Sequence, residues 1–211
     1  MVPDRGKPLT VRWRRLLAGR LLEVETELHG HLDALDRPSA AAVAAARAFA
    51  TSTLGLDLPA ELPAADLAAR LDRPLRVCSV VENRGAPGGG PFWVKDAHGL
   101  VSRQIVEPPQ VDPDDPGQQA IWEASTHFNP TDLVTALRDR HGRPYPLARY
   151  VDPTTVFIAE KTSGGRPLKA LEHPGLWNGS MAGWHTVFVE VPYATFAPVK
   201  TVLDLLEPEH R

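Results

Sequence analysis

A single cysteine, Cys78, stands in 211 residues, so no disulfide forms within the chain. That fits a reducing compartment. Charge of one sign is also scarce. The net charge is -3, which gives no broad electrostatic case for nucleic acid or an anionic membrane as partner. The densest basic run, Arg12 to Arg15, reads as the solvated face of a helix. No stretch approaches the roughly 20 apolar residues that a membrane helix needs. A signal peptide is not evident either, because Arg20 and Glu23 interrupt the first apolar run. The expectation is a soluble cytoplasmic protein with no nucleic-acid and no membrane partner. Several catalytic signatures are missing too. There is no Gly-x-Ser-x-Gly elbow and no Cys/His set with zinc spacing. His29 and His31, two apart on a helix, point to different faces and make a poor metal pair.

What is present supports an ordinary core: 43% of residues are hydrophobic and 23% charged. The first third reads as helices. Trp13, Leu17, Leu21, Val24, Leu28, Leu32 and Leu35 recur every three or four residues, which is one apolar stripe. Thr10 is expected as its N-cap and Pro38 as its far limit. A second helix is expected between a capping Ser39 and a terminating Gly55, and a third over Pro63 to Asp72. The 21 prolines argue against long helices in the second half. There the pattern turns to strands: the Val-rich run Pro74 to Glu82, a hairpin turning near Asp96 to Gly99, and His185 to Pro192. Asp132 to Val151 and Thr155 to Glu172 each read as strand, polar turn, strand. A short helix is expected within Asp112 to Ser125, and a last one over Pro198 to His210. The fold class is therefore α+β, or mixed α/β: N-terminal helices followed by a mixed, largely antiparallel sheet. Residues 1–72 form the helical region and 73–211 the sheet region, with one continuous domain as the alternative.

The candidate chemistry is scattered. Gly85, Gly88, Gly89 and Gly90 lead straight into the strand-like Phe92–Trp93–Val94. A phosphate-binding P-loop or a dinucleotide fingerprint needs a helix after its glycines, and the P-loop also needs Lys-Ser or Lys-Thr; both are rejected. Two readings stay open. In one, Gly88 to Gly90 supply positive φ for a strand connection. In the other, the bare backbone approaches a substrate, flanked by Asn83 and Lys95. His127 and Asn129, in the run Thr126 to Asp132, suit a hydrogen-bonded sugar or base, or else an Asn-Pro turn. Asp112, Asp114 and Asp115 read either as Mg²⁺ ligands or as solvated caps. Trp177, Asn178 and Trp184 lie among glycines ahead of a strong strand, which suits ring recognition or a loop anchored by two indoles. Lys200 at a helix start works against the helix dipole unless an anion accompanies it. Cys78, in mid-strand, reads as a buried structural thiol.

Several runs together carry a resemblance: RPLRVCSVVENRGAPGGGPFWVKD (73–96), STHFNPTDLV (125–134), LKALEHPGLWNGSMAGWHTVFVEVP (168–192) and FAPVKTVLDLLEPEH (196–210). They resemble the C-terminal part of a bacterial family known as domain of unknown function 4301. The opening VPDRGKPLTV also resembles an internal stretch of that family. Members of the family are usually much longer, and their N-terminal half resembles a nucleotidyltransferase domain with a glycine-rich nucleotide loop. The resemblance implies a partial nucleotidyltransferase-like fold and a chain lacking that N-terminal half, through an internal start, a split gene or a truncated gene model. The run VEVPYATFAPVK is similar to the Phe-x-Pro-x-Lys element of eukaryotic-type sugar-nucleotide pyrophosphorylases. That similarity makes Lys200 a phosphate-contacting lysine.

The implied function is the C-terminal portion of a sugar-1-phosphate nucleotidyltransferase-like enzyme. Its incomplete apparatus would leave this chain alone inactive or badly impaired. Gly88, Gly89 and Gly90, with Asn83 and Lys95, would lie on the substrate side. His127, Asn129, Trp177 and Asn178 would shape the sugar or base pocket. Mg²⁺ is the implied cofactor of the complete protein, with no ligands identifiable in this chain. A nucleotide or sugar phosphate and a separately encoded N-terminal half are the implied partners. The alternatives are a non-enzymatic sugar- or nucleotide-binding or regulatory module, and a decayed pseudoenzyme.

Overall fold

The computed structural model describes residues 4–85, 88–96, 99–129, 132–172, 179–196, 199, 202–206 and 210. Helix α1 spans Lys7–Leu35 and, at 29 residues, is about 44 Å long. Its stripe is buried as expected: Leu17, Leu21, Val24, Leu28, Leu32 and Leu35 all face inward. Its start differs from expectation. Thr10 is not the N-cap; the helix begins three residues earlier, after Gly6, and Thr10 Oγ1 donates to Gly6 O at 3.3 Å. Pro8 explains the extension, since proline in a first turn has the right φ and its missing N–H costs nothing there.

Helix α2, Ala40–Ser52, starts on the expected cap: Ser39 Oγ accepts from Ala42 N–H at 3.1 Å. It ends just ahead of Gly55, whose φ of +66° is left-handed. A Cβ there would also overlap the side chain of Arg103. Arg103 donates to Thr53 O at 3.2 Å and to Ser52 O at 3.4 Å, satisfying carbonyls at the end of α2. Helix α3, Ala64–Leu71, buries Leu67 and Leu71. Arg47 of α2 ties down the linker between them by donating to Pro59 O and Leu62 O.

Strand β1, Leu75–Glu82, is the centre of the sheet and is buried on nearly every residue. The hairpin of β2, Gly90–Lys95, and β3, Val101–Val106, has the expected turn, with Gly99 N–H donating to Asp96 O. Helix α4, Pro116–Glu123, follows. Strand β4, His127–Phe128, and strand β5, Leu133–Ala136, pair antiparallel with successive halves of β1. Both lie on the same edge. Ser79 N–H donates to Asp132 O and Asn83 N–H to Thr126 O, and residues an even number apart point the same way along a strand. The opposite edge of β1 pairs in parallel with β8, His185–Glu190. The sheet is thus mixed, with one parallel pair among antiparallel ones.

A separate antiparallel hairpin joins β6, Phe157–Ser163, to β7, Arg166–Glu172. Gly164 and Gly165 both have positive φ, as the tight turn between them requires.

Two expectations fail. After β5 no second strand forms. The return is one bridge between Arg138 and Pro144, followed by a 3-10 turn at Leu147–Tyr150. Pro144 and Pro146 have no N–H for a ladder, and Asp139 Oδ1 holds the loop by accepting from His141 and Arg143 N–H. Near the C-terminus the described residues form a 3-10 stretch, Val202–Leu206, rather than an α-helix. Four of its five side chains are exposed apolar groups with no core to bury them.

The odd residues of β1 (Leu75, Val77, Val81) share one apolar cluster with Leu17, Leu21, Val24 and Leu28 of α1 and with Phe49, Leu67 and Leu71. Arg76, on the opposite face, is fully buried. Its guanidinium donates to Thr186 Oγ1 at 2.9 Å and to Gln104 Oε1 of β3 at 2.9 Å, and one nitrogen lies 3.4 Å from Met181 Sδ. Helices cover one face of the central sheet and the β2–β3 hairpin the other, which is why a strand as apolar as β1 sits at its centre.

Candidate functional site

The edge of the central sheet breaks between β4 and β5, and the candidate residues gather at that break. Asn129 fills it. Its Nδ2 donates to Ser79 O at 2.6 Å, and its backbone N–H donates to Gly89 O at 2.9 Å. The amide side chain thereby bonds across to β1 at the place where the edge ladder is interrupted. Asn83 sits at the exit of β1 and accepts from Gly85 N–H at 2.9 Å, with Gly85 at φ +88°.

Gly88, Gly89 and Gly90 pack against the chain itself. A Cβ on Gly89 would lie 3.0 Å from Val106 O, and one on Gly90 3.0 Å from His127 O. A Cβ on Gly88 would be 3.2 Å from the Phe128 ring. None of the three has a positive φ, which corrects the expectation that they serve as left-handed turn residues. Their lack of side chains lets the start of β2 lie directly on β4.

That close approach shapes a cleft of about 400 Å³ beside β4. Its lining includes Phe92 and Trp93 of β2, Ile121 of α4, and Ser125, Thr126 and His127. Alternation sends Phe92 and Trp93 to opposite faces of β2. Phe92 stacks on Trp122 of α4, with ring centroids 5.3 Å apart, while Trp93 lies beneath the Arg103 guanidinium. The polar edge of the cleft is set by His127. Its Nδ1 is 2.9 Å from Thr126 Oγ1, and its Nε2 is 3.7 Å from Glu190 Oε2 at the end of β8. An aromatic wall in one cleft with a hydroxyl and an imidazole suits a flat or ring-shaped ligand with polar substituents.

The structure thus brings together Asn83, Gly88, Gly89, Gly90, His127 and Asn129. It does not bring Lys95 to them. Lys95 ends β2, five residues beyond Gly90 and hence roughly 17 Å away. Trp177, Asn178 and Lys200 lie outside the described residues. Phe92, Ile121 and Glu190 were not expected at the site. The alternation around Phe92–Trp93 was a usable signal for the first; Glu190 meets His127 only through the sheet.

The acidic run offers no fit for Mg²⁺. Asp115 Oδ1 accepts from Gly117 and Gln118 N–H and so caps α4, while Asp112 Oδ1 accepts from Asp114 N–H. Among the described residues no group of three or more His, Cys, Asp or Glu side chains is placed to hold a metal ion. Burial pushes the Cys78 thiol up to about 11, so it stays protonated and inert, as its place in mid-strand implied. No helix among the described residues is long and apolar enough to cross a membrane.

Comparison with solved structures finds mutants of UDP-glucose pyrophosphorylase from Leishmania major. One is 22% identical at a TM-score of 0.37, covering 67% of this chain and 32% of that one. Another, in complex with UDP-glucose, is 21% identical at a TM-score of 0.40, covering 73% of this chain and 34% of that one. The chain spans about a third of their length, and at these TM-scores the likeness carries no argument here. No curated protein matches. The family described as Domain of unknown function (DUF4301) matches residues 1–211. The chain therefore belongs to the DUF4301 family along its whole length.

Proposed function

We propose that the cleft beside β4 binds the ring of a nucleotide sugar or sugar phosphate, and that the chain contributes this site to a sugar-1-phosphate nucleotidyltransferase-like protein. The observation that supports the reading is that Phe92, Thr126 and His127 line one cleft of about 400 Å³, with the Glu190 carboxylate 3.7 Å from His127 Nε2. Ring stacking on Phe92 supplies affinity, and the polar edge selects substituents. Gly88 to Gly90 let β2 lie close to β4 beside the cleft, Asn129 N–H ties Gly89 O, and Asn83 N–H donates to Thr126 O. Trp177 and Asn178 are assigned to the same ligand, and Lys200 to its phosphate, on the sequence resemblance alone.

In the complete reaction a sugar-phosphate oxygen attacks the α-phosphorus of a nucleoside triphosphate. The new P–O bond forms as the α–β bridging bond breaks, and pyrophosphate leaves. Mg²⁺, when present in the complete protein, would offset charge in that step. Binding without turnover is a second reading. Strand β2, not a helix N-terminus, follows Gly88 to Gly90, so these glycines offer no triphosphate cradle.

Calorimetric titration of the 211-residue chain with UDP-glucose tests the site. Saturable binding is expected, weakened in Phe92→Ala by roughly 5- to 150-fold, the equivalent of about 1–3 kcal/mol of ring stacking. His127→Ala is expected to weaken it by less. Equal affinity in both variants and the parent chain would remove the cleft from the account. Nucleotidyl transfer by the chain alone would overturn the non-catalytic reading.

A further inference from the structure

We infer that the solvent face of α1 is a dimer interface, and that it is covered by the same face of a second copy of this chain, running antiparallel with Gly19 at the two-fold axis. Turned away from the buried stripe, this face carries Arg12, Arg15, Leu16, Gly19, Leu22 and Glu23, all of them exposed. At 3.6 residues per turn the six lie within about 60° of one line along the helix. The face opposite a buried stripe is ordinarily polar, yet Leu16 is 49% and Leu22 61% exposed in its middle. The charges on it are sorted by sign. Arg12 and Arg15 precede the leucines; Glu23 and Glu27 follow them. Among the described residues neither Arg12 nor Arg15 makes an ion pair or a side-chain hydrogen bond, whereas Arg14, off this face, is taken by Asp132.

A helix face with this order is complementary to its own reverse. With Gly19 on the axis, Arg15 comes level with the partner's Glu23 and Leu16 level with the partner's Leu22. Arg12 comes within one residue of the partner's Glu27. Two-fold symmetry makes each of these pairings twice. A parallel pairing in register sets Arg15 against the partner's Arg15 and Glu23 against the partner's Glu23, which repels at both ends. Glu23 Oε2 already accepts from Arg20 Nη1 at 2.7 Å, and a carboxylate has room for a second guanidinium. Gly19 fits the same account. A Cβ on it would meet nothing within 4 Å, so the chain itself does not require glycine there, and glycine weakens a helix interior. At a helix crossing it lets the two backbones approach closely. The face neither uses nor depends on the cleft beside β4, because α1 packs on the side of β1 opposite the β2–β3 hairpin.

The test is sedimentation of the full 211-residue chain over a range of concentrations reaching about 200 µM, since a contact of two helices is small and its dimer correspondingly weak. A monomer–dimer equilibrium is expected. Arg15→Glu and Glu23→Arg, both at exposed positions, should each weaken it at least tenfold. An equimolar mixture of the two variants should dimerise again, because each chain then meets the opposite charge at both ends of the contact. Cross-linking reads the register. Under mild oxidation Gly19→Cys should join two chains, since the native Cys78 is buried and does not compete. Gly30→Cys should not, because eleven residues from the axis set it roughly 33 Å from its counterpart. The inference is overturned by a monomer at every concentration, by a dimer that both charge variants keep, or by a mixture that stays monomeric. It is equally overturned if Gly30→Cys cross-links as readily as Gly19→Cys.

Discussion

The two faces of β1 follow different rules. Leu75, Val77 and Val81 enter an aliphatic cluster with the stripe of α1, where shape is the only requirement. Arg76, one residue away on the other face, enters an equally dry environment as a charge, and donates there to Thr186 Oγ1 and Gln104 Oε1 beside Met181 Sδ. The first face tolerates exchange at constant volume. The second holds only while each acceptor is in place, because an unmet polar group in a dry interior costs more than the bond itself contributes. The β2–β3 hairpin that covers this second, polar face also carries Phe92 and Trp93 of the cleft. The side of the sheet that carries polar side chains inward is the side where binding is proposed.

That contrast can be broken in a definite order. Arg76→Ala should cost roughly 3–5 kcal/mol, because it orphans two buried acceptors at about 1–3 kcal/mol each and leaves a cavity. Urea denaturation measures it. If the charge and not the volume is what needs support, Arg76→Met combined with Gln104→Leu should recover at least half of that loss. On the other face, Leu28→Ala should cost about 2–5 kcal/mol, while Leu28→Met should cost less than about 1.5 kcal/mol. A larger penalty for Leu28→Met would mean that the aliphatic face is as exacting as the polar one.

A further effect is pH-dependent and sits where the faces meet. His185 is fully buried at the start of β8, and its Nε2 lies 2.9 Å from Leu71 O at the end of α3. A carbonyl can only accept, so Nε2 carries the proton. Burial pushes the imidazole down to about 4, outweighing the raising effect of that bond. With an unfolded value near 6.5, the neutral ring's contribution is complete above about pH 6.5. It is lost as the pH falls toward 4, because the unfolded chain takes up the proton first. The total is at most roughly 3.5 kcal/mol at about 1.4 kcal/mol per pH unit. Comparing urea midpoints at pH 7 and pH 4.5 in the parent chain and in His185→Gln checks it: the variant should lose part of the acid sensitivity.

Much of the architecture was legible in the sequence. The stripe from Leu17 to Leu35 could only be a helix with one buried face, Ser39 announced its role as a cap, and Gly164–Gly165 marked the β6–β7 turn. These signals are local, and nearby chain decides them. The return after β5 was misread because its polar-apolar pattern resembles a strand, although Pro144 and Pro146 deny it a ladder. The site was legible in part. Runs around the glycines and His127 were recognisable, but the neighbours that require glycine, Val106 O and His127 O, are set by tertiary packing. The same holds for Glu190 beside His127 and for the partners of Arg76. Lys95 was separable from the glycines in principle, since a six-residue strand sets its ends well apart.

Saturation-transfer NMR with UDP-glucose reads whether a ring stacks in the cleft beside β4. Transfer from the protein to the ligand's ring protons is expected, concentrated on the ring that faces Phe92 and abolished or sharply reduced in Phe92→Ala. No transfer to the parent chain's ligand, or the same pattern and intensity in Phe92→Ala, would contradict it.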